Sequence, residues 1–167
     1  IKQFIGGVHA TLDKNLLKTL TSVDYSIRRE GEEATFSLVE NKDPRTIPGV
    51  ISRGKNGLID NGIAPVIKDI DNLPFPERDK HWAIPESEKK NIDVSYICTI
   101  RGCPYKCTYC ASPFHWDRKT TRLRSPESVI EEMKHLKENY WHTTQYDYSA
   151  SANITKKESL KIADNTL

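Results

Sequence analysis

Cys103-Pro104-Tyr105-Lys106-Cys107-Thr108-Tyr109-Cys110 puts three thiols on one short stretch of a 167-residue chain. A fourth, Cys98, lies just upstream, and no other cysteine occurs. A disulfide scaffold spreads its cysteines to tie distant loops together. Crowding of this kind points instead to a metal or cluster site in a reducing compartment. Intervals of three residues and then two let one loop wrap one face of an iron–sulfur cluster, whose ligands are thiolates. Three ligands leave one metal position open, which by analogy with zinc marks a reactive site rather than a structural one. Zinc is the other reading, with His115 or Cys98 as a fourth ligand in a non-catalytic structural module. Cys98 itself reads as a small core residue on a strand.

The elements around this loop read as α/β. Residues 93–100 form a buried strand through Val94, Tyr96, Ile97 and Ile100, and the cysteine loop follows. Ser125-Pro126-Glu127 opens a helix: Ser caps, Pro suits the first position and Glu faces the positive end. Val129, Ile130, Met133 and Leu136 give it an apolar stripe, with Glu131, Glu132, Lys134 and Lys137 towards water. A second strand is expected over residues 143–148 and a last helix over 156–165. Strand, loop, helix, strand, helix is the unit of a parallel sheet or β/α barrel.

Residues 1–40 are also α/β. Phe4-Ile5 end a buried strand and Gly6-Gly7 turn the chain, glycine permitting positive φ. Leu12, Leu16, Leu17 and Leu20 recur at helical spacing, with Asp13 near the start. Residues 23–27 alternate as a short strand. Glu32-Glu33 open a second helix that buries Phe36 and Val39, although Thr35 and Val39 would also suit a strand. Residues 41–92 hold Pro44, Pro48, Pro65, Pro74, Pro76 and Pro85 and read as an ordered connector. Within it, residues 47–52 and 58–59 form a hairpin across Gly54-Lys55-Asn56-Gly57.

Composition sets the outer bounds. Of all residues, 37% are hydrophobic and 29% charged, which suits a globular chain. A net charge of +2 calls for no nucleic acid or other polyanion. No apolar run approaches the ~20 residues of a membrane helix. Arg118, Lys119, Arg122 and Arg124 read as a solvated basic loop.

The string from Arg101 to Cys110, with an aromatic residue just before its last cysteine, resembles the signature of the radical S-adenosylmethionine (radical SAM) superfamily, in its cobalamin-binding branch. Further stretches resemble that branch in order. They are Gly6-Gly7-Val8-His9-Ala10-Thr11, Val23-Asp24-Tyr25 with Glu30-Gly31-Glu32, Leu73-Pro74-Phe75-Pro76-Glu77-Arg78-Asp79, and Arg124-Ser125-Pro126-Glu127. The resemblance implies that Cys103, Cys107 and Cys110 hold a 4Fe-4S cluster whose fourth iron is chelated by S-adenosylmethionine. It implies that Tyr109 lies against the adenine and that Gly6 and Gly7 approach the nucleotide tail of cobalamin. It also implies an electron donor such as flavodoxin or ferredoxin, a cytoplasmic setting, and a small or macromolecular substrate that the chain does not name. The fold implied is the C-terminal part of a Rossmann-like cobalamin-binding domain over residues 1–40, the connector over 41–92, and the first β/α units of a partial TIM-type barrel over 93–167.

Two departures stand out. The branch's Asp-x-His-x-x-Gly motif is not among these residues, and the stretch 148–153 lacks the paired acidic residues that often follow the second barrel strand, although Asp147 precedes it. With room for about two β/α units where the family barrel has six, the sequence reads as a fragment of a larger enzyme, inactive by itself.

Overall fold

The structure is a computed structural model describing residues 1–78, 94–116, 120–140 and 144–147. It divides into two compact units. One comprises Ile1–Ile67 and Cys103–Thr120; the other comprises Lys68–Gly102 and the residues from Thr121 onward.

The first unit is built on a four-stranded sheet in the order β1-β2-β3-β4. Strand β1 (Phe4–Ile5) runs parallel to β2 (Tyr25–Ile27). Strand β2 is antiparallel to β3 (Val50–Gly54), which turns back into β4 (Gly57–Asp60). The hairpin expected around Asn56-Gly57 is therefore present. Its strands extend the N-terminal sheet, so these residues are sheet rather than connector. The segment before the hairpin carries α1 (Gly7–Leu12), α2 (Leu16–Thr19) and α3 (Glu32–Val39).

Local chemistry explains where these helices differ from expectation. The leucine pattern predicts one helix, but Asp13 ends α1 rather than starting it, and its carboxylate accepts the Asn15 N–H at 2.8 Å. Asp competes with the helix for backbone donors, which favours such a break. Leu16 and Leu17 are buried, whereas Leu12 is exposed. Helix α3 forms as expected, with Glu32 and Glu33 in its first turn. It buries Ala34 and leans Leu38 on the core of Ile27, Ile47 and Val50, while Phe36 and Val39 face outward. The face that meets the core is therefore the one carrying Ala34 and Leu38, not Phe36 and Val39. Phe4, expected in a buried strand, is likewise exposed.

The second unit contains a β-α-β passage. Strand β5 (Val94–Ile97) pairs in parallel with β8 (Thr144–Asp147), and helix α5 (Pro126–Tyr140) lies between them in sequence. Parallel neighbours need such a crossover. Strand β6 (Ile100–Arg101) pairs antiparallel with β7 (Arg122–Leu123). The cap predicted at Ser125 is made, its hydroxyl accepting the Ser128 N–H at 3.1 Å. Val129 and Leu136 pack on Ile97, with Met133 alongside. Tyr96, expected inside, is exposed. The helix expected over 156–165 lies outside the described residues.

Glu132 overturns the expectation that it faces water. It is 2% exposed, and its carboxylate accepts from Arg78 at 2.6 Å and from Arg124. Arg124 also donates to the Ser128 hydroxyl at 2.9 Å and lies over the Phe75 ring. Arg122 is buried too. The basic stretch is therefore in part structural rather than a solvated loop. Arg78 and Phe75 bring the proline-rich segment onto α5, where Phe75 also meets His135.

Candidate functional site

Strand β6 delivers the chain to the cysteines. Gly102 follows Arg101 at φ 100°, a left-handed conformation costly for any residue with a Cβ. The chain thereby leaves the strand and enters the loop without regular structure up to Cys107. At the far end, Thr108 and Tyr109 form a turn closed by the Cys110 N–H donating to the Cys107 carbonyl at 3.2 Å. That turn fixes the two-residue interval between the last two thiols. Helix α4 (Ser112–Trp116) begins two residues after Cys110.

All three cysteines of the loop are free thiols: Cys103 is buried, Cys110 half-buried and Cys107 exposed. Among the described residues, no three Cys, His, Asp or Glu side chains stand together as a ready metal group. The donor chemistry nevertheless fits a thiolate-bound cluster, since three soft ligands sit on one loop free of helix or strand constraints. The residues considered for a fourth ligand are engaged elsewhere. Cys98 lies between β5 and β6 rather than on a strand, and its S–H donates to the Ile100 carbonyl at 3.4 Å. His115 directs Nδ1 at the Thr11 hydroxyl and meets Trp116 edge-on.

Tyr109 is 91% exposed, so it is not a packed core aromatic. Gly6 and Gly7 form the β1-to-α1 turn, with Gly7 at φ 89° and open space where its own Cβ would stand. Backbone at that turn is open to close approach by a ligand. The cysteine loop and this turn belong to the same compact unit. The cause is local: α4 docks on the N-terminal segment through Thr11 and Arg29. Neither residue was singled out from sequence. The one available signal was Thr11 four residues after Gly7, a spacing at which a hydroxyl reaches back to a helix carbonyl.

Comparison with known proteins adds the family. Residues 97–154 match the family model of the Radical SAM superfamily. The anaerobic magnesium-protoporphyrin IX monomethyl ester cyclase of Cereibacter sphaeroides is 26% identical over 140 residues, covering 79% of this chain and 22% of that protein. An uncharacterized methyltransferase of Pyrococcus horikoshii is 31% identical over 143 residues, covering 81% of this chain and 30% of that protein. The radical S-adenosylmethionine methyltransferase TsrM from Kitasatospora setae superposes with a TM-score of 0.70 at 19% identity, over 97% of this chain and 32% of that one. The cobalamin-dependent S-adenosylmethionine radical enzyme OxsB gives 0.71 at 16%, over 96% and 23%. At these identities the two structures speak for a shared α/β fold. The chain spans between about a fifth and a third of the length of all four proteins. Residues 97–154 thus match the radical SAM superfamily, and the structural neighbours include the cobalamin-dependent enzyme OxsB.

Proposed function

We propose that this chain is the cluster-bearing part of a cobalamin-dependent radical SAM enzyme. The observation that carries the reading is the triplet Cys103, Cys107 and Cys110 on a single loop, inside the residues that match the family. These cysteines hold a 4Fe-4S cluster and leave one iron for S-adenosylmethionine. Held by Cys103, Cys107 and Cys110, such a cluster would supply one-electron reductive cleavage of the S-adenosylmethionine sulfonium, the source of a 5′-deoxyadenosyl radical.

The chain's own residues orient that chemistry. Tyr109 presents an exposed ring to the adenine. Gly6 and Gly7 turn the chain where the cobalamin nucleotide tail approaches, with open space beside Gly7. In this reading β1 to β4 continue a Rossmann-like cobalamin-binding domain, and β5, α5 and β8 form the first unit of a TIM-type barrel. A flavodoxin or ferredoxin is the expected electron donor in a cytoplasmic setting. Methyl transfer, methylthiolation and cyclisation are the reaction classes its relatives represent.

Anaerobic reconstitution followed by titration with S-adenosylmethionine tests the proposal. The electron paramagnetic resonance (EPR) signal of the reduced cluster should shift on addition of the cofactor. A spectrum indifferent to it, or a protein that holds zinc in place of iron, would reject this function.

A further inference from the structure

In the first unit, a single hydroxyl gathers several separate pieces of chain. Thr11 is 5% exposed. Its hydroxyl donates to the Gly7 carbonyl at 2.9 Å and accepts the Arg29 N–H at 2.8 Å. His115 Nδ1 lies 3.4 Å from the same oxygen. A hydroxyl has one proton and two lone pairs. With the proton donated to Gly7 and one lone pair taken by Arg29, a second lone pair is left on the side of His115 Nδ1.

Arg29 strengthens the same connection. Its φ of 64° is left-handed, a conformation that persists only where the surroundings hold it. The Thr11 hydroxyl holds its backbone, and its Nε–H donates to the Phe114 carbonyl at 3.3 Å. Helix α4 is thus tied to the N-terminal segment from two sides. One end of the connection is the Gly7 turn; the other begins two residues beyond Cys110.

We propose that Thr11 is a positioning residue for the cysteine loop: it links the Gly7 turn to α4 and so sets the placement of Cys110. The inference rests on the reading that this loop holds an iron–sulfur cluster. Thr11 acts through Gly7 and His115.

The test uses the full 167-residue chain with Thr11→Val, Thr11→Ser and Arg29→Gly. Glycine relieves the left-handed backbone at position 29 while removing the guanidinium, so this variant remains informative if Thr11→Val folds poorly. In metal-free protein, hydrogen exchange is followed at the Phe114 and His115 amides, which donate to the Ala111 carbonyl at 3.0 and 3.1 Å. Thr11→Val and Arg29→Gly should each speed exchange there by on the order of tenfold, as loss of one hydrogen bond implies, and Thr11→Ser should restore it. After anaerobic reconstitution, Thr11→Val should keep its iron but alter the EPR line shape of the reduced cluster, again with rescue by Ser. Exchange and line shape unchanged in both Thr11→Val and Arg29→Gly would overturn the inference. A wild-type chain that takes up no iron would instead overturn the cluster reading, and the exchange data alone would still decide whether Thr11 and Arg29 hold α4.

Discussion

Glu132 and Arg124, eight residues apart, are joined by a hydrogen bond inside the second unit, with Arg78 on the other carboxylate oxygen at 2.6 Å. Removing one member of a buried charge cluster leaves the rest uncompensated. Glu132→Ala should therefore cost about 3–5 kcal/mol in urea unfolding. The neighbouring exposed Glu131→Ala should stay within about 0.5 kcal/mol.

Gly102 makes the exit from β6 into the cysteine loop at φ 100°. Gly102→Ala should destabilise the chain by about 1–3 kcal/mol, since a Cβ strains that backbone. It should also lower iron uptake relative to wild type. Unfolding curves and iron content of the purified variant check both effects.

In the first unit the leucines divide by burial. Leu17 is 0% exposed and Leu12 53%. Leu17→Ala should cost about 2–5 kcal/mol. Leu12→Ala should move stability by about 0.5 kcal/mol or less, by the same unfolding assay.

Asp43 titrates well below its ordinary value, at about 2, because the Arg45 side chain and then the Arg45 backbone N–H donate to its carboxylate. The folded value lies below the ordinary 3.8, so the contribution is complete above that pH and is lost as pH falls from 3.8 towards 2. In Arg45→Ala the midpoint, followed by carboxyl NMR, should rise towards 3.8 yet remain below it, because the backbone N–H is kept.

Much of this was legible in the residues. Asn56-Gly57 announced the hairpin, Ser125-Pro126-Glu127 the start of α5, and the cysteine spacing the candidate site. These are local signals, each fixed by turn, cap or ligand chemistry. Glu132 was misread although it sits three residues after Val129 and four before Leu136, inside an apolar stripe. What makes burial tolerable there is Arg78, 54 residues away in sequence, and periodicity carries no sign of such a partner. The contacts of Thr11 and Arg29 are illegible for the same reason, since His115 and Phe114 are long-range partners. Helix α3 formed where expected, but it buries Ala34 and leans a half-buried Leu38 on the core, while Phe36 stays exposed.

Cluster binding depends on the three thiols of residues 103–110. Iron and acid-labile sulfide should be measured on anaerobically reconstituted chain and on Cys103→Ala, Cys107→Ala and Cys110→Ala. Wild type should bind both in the proportions of a four-iron four-sulfur cluster, with charge-transfer absorption in the blue, and each variant should lose them. A colourless wild-type protein carrying stoichiometric zinc and no sulfide would contradict the account.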